Sequence, residues 1–303
     1  MRITDEQVAH WREHGYVLIP GFLSPDELAA AREVAYRYYP TAEEYYAAPH
    51  RYQNLPIHWE FPFRDDALNN ISTGPDLVDA ARHIVGTEDV FLTQSLLWAK
   101  YAGRGDWEQP HHVDYQNNSL LYPSDEDGFR QMPSILYLED VTVELGPTKV
   151  VSRTVTRERP LVPVAPPRED VPEMYEAEQA VAVEAGTIML YDMQTFHRGS
   201  RLLATHGIRL TFHNVFRGAG LEWMGWRAWP HEGLSAEMRQ FVEQAGVEQL
   251  TVIGFPKPGH PYWTQRTVDG VQARYPKLDM SAYREALAAR DGAPRQAAAG
   301  ATA

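Results

Sequence analysis

His112 and Asp114 lie two residues apart in PHHVDYQNN, and His197 follows far downstream in LYDMQTFHRGS. Two imidazoles and one carboxylate in the order HxD…H are a donor set that can hold iron(II) on one face, leaving positions open for a cosubstrate and dioxygen. The chain has no cysteine, so thiolate sites, disulfides and cysteine nucleophiles are excluded, and any metal must be held by His, Asp or Glu. An HxD pair alone occurs by chance, and a histidine is often no more than a hydrogen-bonded structural residue. A fourth residue shifts that balance. Arg209 sits in GIRLTFHNVF, where strand alternation puts Arg209, Thr211 and His213 on one face and Leu210, Phe212 and Asn214 on the other. A guanidinium aimed into a core is costly unless it meets an anion, and its planar fork matches a carboxylate bidentately. A dicarboxylate cosubstrate would satisfy it.

These residues must be brought together by distant segments. At strand spacing the side chains of His112 and Asp114 project to one face, and the run TIMLYD before His197 must fold back beside them. After Asp89 the sequence breaks into short β-rich runs, VFLTQSLLWAKY, PSILYLEDVTV, QAVAVEAGTIMLYD and GIRLTFHNVF, separated by turn residues. That pattern predicts a mainly β fold with flanking helices, an antiparallel sandwich or jelly roll. At the N-terminus, Thr4 and Gln7 form a capping-box signal for a helix running toward His14 and ended by Gly15. YVLIPGF then reads as a strand. Ser24 and Pro25 open a second helix through DELAAAREVAYRYY. The proline-rich RERPLVPVAPPREDVP cannot be a central strand and reads as a long connection, of the kind that often covers an active site. Aromatic residues between Tyr36 and Phe63 read as a loop-rich wall packed on the core, with a pocket wall as the alternative. Helices are expected in SAEMRQFVEQAG and near SAYREALAAR, and a disordered tail over residues 291–303. The expectation is one domain over residues 1–290, made of N-terminal helices, a jelly-roll core and a C-terminal helical and aromatic extension.

Composition narrows the partners. The 303 residues are 44% hydrophobic, enough for a large core, and carry a formal net charge of -13. Nucleic acid and anionic membrane surfaces would be repelled, which leaves a small molecule as the expected partner. The first residues, MRITDEQVAHWREHG, contain no apolar run of signal-peptide type, and no stretch is long enough to span a bilayer. The chain therefore reads as cytoplasmic, in a reducing compartment that suits ferrous iron. Oligomeric state is not legible.

The order HxD…H followed by a strand arginine resembles the iron(II)- and 2-oxoglutarate-dependent dioxygenases of the phytanoyl-CoA dioxygenase (PhyH) type. EHGYVLIPGFLSPDEL is similar to the N-terminal signature of that family, QSLLWAKYAGRGDWEQPHHVD to the strand and turn before its ligands, and VELGPTKVVS to a segment that in many members reads NGP followed by a PGSH-like end. The resemblance covers about residues 5–216 and leaves the C-terminal part unmatched. It implies a double-stranded β-helix (jelly roll, cupin-like) with His112, Asp114 and His197 as iron ligands. It further implies Arg209 on the distal carboxylate of 2-oxoglutarate, with Gln94 and Thr211 as further cosubstrate contacts. The implied reaction is oxidation, by default hydroxylation, of an unactivated C–H bond in a small metabolite, such as a natural-product intermediate, with dioxygen consumed and succinate and CO2 released. Asp114 stands where iron halogenases carry a small residue, which argues against halogenation. The chain departs from the family pattern at Val151, Ser152, Arg153 and Thr154, in place of PGSH, and this weakens any inference about substrate.

Two other readings compete. One is a non-catalytic jelly-roll protein that binds a small ligand in a retained pocket. The other is a cupin-type metalloenzyme that does not use 2-oxoglutarate, which would leave Arg209 without a role. Candidate substrate contacts are His111, Trp98 and Trp226. His206 and His213 read as pocket-lining or structural residues rather than extra ligands, and Asp192 as a turn residue or a partner to a ligand. Trp223, Trp226 and Trp229, three apart, read as core, interface or lid. The acidity of the chain matches a coenzyme-A thioester poorly, unless Arg153, Arg157 and Arg159 form a local basic patch.

Overall fold

The computed structural model describes residues 2–104 and 107–292, side chains to residue 290. It divides into two compact units, Met1–His231 and Glu232–Ala303.

The first unit carries the nine strands found among the described residues: β1 Tyr16–Ile19, β2 His58–Glu60, β3 Val90–Tyr101, β4 Gln131–Tyr137, β5 Thr148–Val150, β6 Gln179–Val181, β7 Ile188–Tyr191, β8 His197–Gly199 and β9 Ile208–Gly218. They form a six-stranded sheet in the order β1-β7-β4-β9-β3-β2 and a three-stranded sheet β6-β5-β8, with every pairing antiparallel. This is the mainly β, jelly-roll architecture the sequence predicts. The long strands β3 and β9 lie side by side, with Lys100 opposite Arg209, Trp98 opposite Thr211 and Leu96 opposite His213. On the other side of β9, Ile135 faces His213 and Tyr137 faces Thr211. Residues directly opposite in an antiparallel pair share a face, so one inner surface presents Lys100, Arg209, Thr211 and His213 together. Tyr137, Val150, Val181 and Met189 pack into one buried cluster, which contains residues of both sheets.

Helices flank this core. α1 (Asp5–His14) starts at the Thr4–Gln7 capping box and stops at Gly15, whose φ of 78° is the left-handed conformation that glycine adopts without a Cβ clash. α2 (Pro25–Ala35) starts at Ser24 with Pro25 in its first turn. It ends at Ala35 instead of running through Tyr39, because the tyrosines beyond are held by partners elsewhere. Tyr36 donates to Glu139, and the buried Tyr39 hydroxyl donates to the carbonyls of Ile57 and Leu97. α3 (Ala42–Ala47), α4 (Asp66–Thr73) and α5 (Pro75–Val85) follow, then α6 (Arg153–Thr156) and α7 (Pro172–Ala177) inside the connection between β5 and β6. The run QAVAVEAGTIMLYD is not one strand: its two ends, β6 and β7, enter different sheets, with a turn through Gly186 between them.

The second unit holds α8 (Ala236–Gln244), α9 (Val247–Val252), α10 (Gln265–Arg274) and α11 (Ser281–Gly292). Its buried residues include Phe241, Leu250, Trp263, Val268 and Tyr283. The two helices expected from sequence are α8 and α11. The expected tail falls, from residue 293 on, outside the described residues. Among the described residues no helix is long and apolar enough to cross a membrane.

Candidate active site

His112 and His197 face each other across an isolated antiparallel bridge, with N–H···O distances of 2.9 Å and 3.0 Å and ring centroids 4.6 Å apart. Asp114 is not in a strand. Its φ of -91° and ψ of 0° start the short turn Tyr115–Asn117, so the pair His112/Asp114 converges through a bridge followed by a turn and not through the strand alternation expected from sequence. Each imidazole is oriented from behind: Nδ1 of His112 donates to the Pro110 carbonyl and Nδ1 of His197 to the Thr195 carbonyl, both at 3.0 Å. With the proton fixed on Nδ1, the Nε2 lone pairs face the carboxylate. Nε2 of His112 is 3.6 Å from Asp114 Oδ1, and Nε2 of His197 is 3.4 Å from Oδ2. One donor atom from each of the three lies within 4.8 Å of the others.

The ionised state of Asp114 suits a cation. Burial pushes the Asp114 carboxyl up, but the two imidazoles and the Tyr191 hydroxyl outweigh it and hold the group well below the usual carboxylate range. Burial also lowers both imidazoles. His112 stays low, with His197 adding to the effect, while contact with Asp114 turns the net shift of His197 upward. Tyr191, on β7, donates to Asp114 Oδ2 at 2.8 Å. Its hydroxyl is raised far above the ordinary phenol range by burial and by the Asp114 charge, so it stays a donor.

These residues line a cavity of about 720 Å3, and Arg209 lines the same cavity. The Arg209 guanidinium is buried and donates to the Gly146 carbonyl. Among the described residues no carboxylate pairs with it, and burial lowers its pKa. Gly146 has φ 64°, and a Cβ there would come within 2.7 Å of the Ser200 carbonyl oxygen, so only glycine presents that carbonyl to Arg209. Lys100, opposite Arg209 in β3, also lines the cavity, with its ammonium 4.9 Å from the centre of the Trp107 ring. A three-donor cluster and a buried cation without an acidic partner fit a metal together with a ligand that carries a distal carboxylate.

The family model for phytanoyl-CoA dioxygenase (PhyH) matches residues 11–209. The chain belongs to this family. Solved structures similar to this PhyH chain include the non-heme alpha ketoglutarate dependent carbocyclase SnoK from nogalamycin biosynthesis, with 20% identity, TM-score 0.54, and 72% of this chain and 85% of that one covered. HygX from Streptomyces hygroscopicus with iron bound matches at 18% identity and TM-score 0.54, over 73% and 88%. EctD from S. alaskensis with 2-oxoglutarate and 5-hydroxyectoine matches at 18% identity and TM-score 0.56, over 73% and 78%. At these identities the likeness is one of fold. No curated protein sequence matches significantly.

In this PhyH chain Gln94, Thr211, Trp98, Trp226 and His213 all line the cavity. His111 does not. It is fully buried, its Nε2 meets Glu178 at 2.9 Å and its ring packs edge-on against Tyr175, so it is not placed to touch a substrate in the cavity. Glu178 also pairs with Arg198 at 2.7 Å, and this buried cluster braces the residue next to His197. His206 packs at a tilt against Tyr46 and does not line the cavity. Asp192 is a turn residue: its oxygens accept from the Gln194 and Thr195 amides, and Arg153 lies 3.3 Å away. Arg153, Arg157 and Arg159 form no patch in the cavity, since they are engaged with Asp125, the Glu13 carbonyl and Glu173. Of the three tryptophans only Trp226 lines the cavity, while Trp229 donates to the Leu92 carbonyl. Sequence reasoning missed Tyr191, Lys100, Gly146 and Asn118. Lys100 was findable, because it continues the inward alternation of Gln94, Leu96 and Trp98 in a predicted strand. The proline-rich connection does reach the site: Val164 lines the cavity and its carbonyl accepts from the Val113 amide.

Proposed function

We propose that this chain is an iron(II)- and 2-oxoglutarate-dependent oxygenase that oxidises, by default hydroxylates, a C–H bond of a small metabolite. The observation that carries the reading is Arg209: a buried guanidinium, unpaired with any described carboxylate, in the same cavity as a His/Asp/His cluster. A non-catalytic binding protein or a cupin-type enzyme without a dicarboxylate would bear the cost of that cation for nothing.

In this reading His112 Nε2, His197 Nε2 and one oxygen of Asp114 hold the ion. When bound, iron with 2-oxoglutarate and dioxygen supplies the oxidising power for C–H cleavage, with succinate and CO2 released. The chain supplies the rest. Arg209 takes the far carboxylate through two parallel N–H donors, Gln94 and Thr211 hydrogen-bond the cosubstrate, and the Gly146 carbonyl keeps the guanidinium in place. Tyr191 holds Asp114 Oδ2 and leaves the other oxygen to the ion. Leu96, Trp98, Ile135 and Val215 make an apolar wall that keeps bulk water away from the reacting carbon.

The test is an anaerobic titration of the metal-free protein with ferrous iron and then 2-oxoglutarate. The expected result is a visible charge-transfer absorption that needs both components and is absent in His112→Ala, followed by oxygen-dependent succinate release. Iron binding with no such absorption would favour the enzyme without 2-oxoglutarate, and absorption without succinate, across a substrate panel, would favour the binding protein. The product mass then separates oxygen insertion from ring closure or epimerisation.

A further inference from the structure

The cavity is larger than a metal and a five-carbon keto-diacid require, and the chemistry of the remainder is specific. Of its described lining residues, Asp114, Lys100 and Arg209 are the only acidic or basic side chains besides the histidines, and these three belong to the metal and cosubstrate end. The rest of the lining carries no carboxylate or ammonium among the described residues and includes Trp98 and Trp226, the amides Gln116, Asn117 and Asn118, and the hydroxyls of Ser134 and Thr148. The His58 ring stands 6.0 Å from Trp98, tilted by 48°, and adds a further aromatic ring to the wall.

Two shielded polar atoms of residues that line this wall have no hydrogen-bond partner among the described residues: Oδ1 of Asn118, an acceptor, and Nε1 of Trp226, a donor. The amide of Asn118 cannot be turned to hide its oxygen. Its Nδ2 donates to the Asp114 carbonyl at 3.1 Å and faces Asn117 Oδ1 at 3.3 Å, both acceptors, so the opposite assignment would set oxygen against oxygen. The two segments are tied together: Ser119 and Met224 form an antiparallel bridge, the Gly225 amide donates to the Asn118 carbonyl at 2.9 Å, and the Leu120 amide to the Trp223 carbonyl at 2.8 Å. Trp226 follows Gly225 directly, and the Asn118 side chain hangs on the turn that begins at Asp114. Shielded polar groups without partners are costly, and a donor and an acceptor left unpaired on neighbouring segments behind one wall call for a group that can serve both.

We propose that the part of the cavity beyond the metal and cosubstrate binds an uncharged substrate with a flat apolar body and a hydroxyl group, the hydroxyl accepting from Trp226 Nε1 and donating to Asn118 Oδ1. The proposal rests on the reading of the metal and cosubstrate end given above. It excludes a coenzyme-A thioester, whose phosphates would find no cation among the described residues of this wall. Both atoms are shielded in this structure, so substrate entry includes a side-chain adjustment at the wall.

The test uses the anaerobic protein loaded with ferrous iron and 2-oxoglutarate, and calorimetric titration with 2-(hydroxymethyl)anthraquinone, 2-methylanthraquinone, anthraquinone-2-sulfonate and decanoyl-CoA. The hydroxymethyl compound should bind at least about tenfold more tightly than the methyl compound, the range a lost pair of hydrogen bonds gives. The sulfonate and the thioester should bind weakest. Trp226→Phe removes only the N–H and should bring the hydroxymethyl-to-methyl ratio close to one, with the iron–cosubstrate absorption retained. Asn118→Leu should do the same. Should its loss of the Asp114 contact disturb the metal, the Trp226→Phe ratio decides. The charge-transfer absorption with no preference for the hydroxyl, with no probe bound, or with the sulfonate or thioester preferred, overturns this inference and leaves the cosubstrate reading intact. Absence of the absorption in the unmodified protein overturns that reading and this inference with it.

Discussion

At the scale of single residues, the site is a set of costs accepted in the free protein. Arg209 is the clearest. Removing a buried cation that has no acidic partner relieves desolvation, so Arg209→Met should leave the melting temperature of the metal-free protein unchanged or raise it. The same change should weaken 2-oxoglutarate binding on the order of 30-fold or more, since truncating one member of a desolvated charge pair costs at least ~2 kcal/mol. A fall in stability together with unchanged cosubstrate affinity would make Arg209 a structural residue. Tyr191 makes the complementary case. Its hydroxyl holds Asp114 Oδ2 at 2.8 Å, and outer-shell partners of metal ligands are typically worth about 10- to 100-fold in affinity. Tyr191→Phe should therefore weaken cobalt(II) binding by about that range, read by competition with a chelator, and an unchanged affinity would show the hydrogen bond to be incidental. Arg209 and the three donors were legible because their types are expensive to bury without a purpose. Tyr191 was not, because a tyrosine in a strand needs no explanation until its hydroxyl is seen on a ligand. His111 misled for the opposite reason: adjacency to a ligand in sequence became, after one residue of backbone, a separate buried pair with Glu178.

At the scale of elements, local signals were reliable where a cap or a turn sets the geometry and weak where tertiary contacts do. The Thr4 and Ser24 capping boxes start their helices as read, whereas α2 stops early because Tyr36 and Tyr39 are claimed by partners elsewhere. The long strands β3 and β9 were legible from alternation. The convergence of His112 and Asp114 was legible in outcome but not in cause, because the bridge to His197 and the turn at Asp114 are non-local. Gly15 shows how an element end reaches the site. It caps α1, its carbonyl accepts from the Asp192 amide at 2.8 Å and the Thr195 hydroxyl at 2.6 Å, and Thr195 in turn holds His197. A Cβ at Gly15 would lie 2.5 Å from both Arg153 Cγ and Thr195 Oγ1, while one at Gly21, with φ 61°, meets nothing within 4 Å. Gly21→Ala should then show only the left-handed penalty, ~1 kcal/mol. Gly15→Ala should cost clearly more in chemical denaturation and should also weaken metal binding. Equal losses in the two variants would mean that the approach of α1 to the His197 turn is not a constraint on the site.

At the scale of the whole molecule, acid stability sets two effects of opposite sign against each other. The formal charge of -13 at pH 7 shrinks toward the sequence pI of about 5.4, so acidification relaxes overall repulsion and stabilises the fold. Buried imidazoles act in the other direction. Burial pushes His111 down to about 4 against the pull of Glu178, and burial together with the Arg209 charge pushes His213 down to about 3. Both folded values lie below the ordinary 6.5, so between about pH 6.5 and 4 the unfolded chain binds protons that the folded chain refuses, and stability falls as pH falls, by up to ~1.4 kcal/mol per pH unit for each imidazole. His197, raised by Asp114 despite its burial, works against them, and loading the site with zinc removes its titration. Salt separates the global effect from the local one, because repulsion between surface charges is screened at about 1 M while buried groups are screened much less. In zinc-loaded protein, melting temperatures from about pH 7 to about pH 5 should therefore fall more steeply at high salt than at low salt, and His213→Gln should flatten the high-salt slope. A high-salt slope unchanged by His213→Gln would mean that His213 takes up its proton in the folded chain as readily as in the unfolded one, and that the inner face of β9 is open to water beside Arg209.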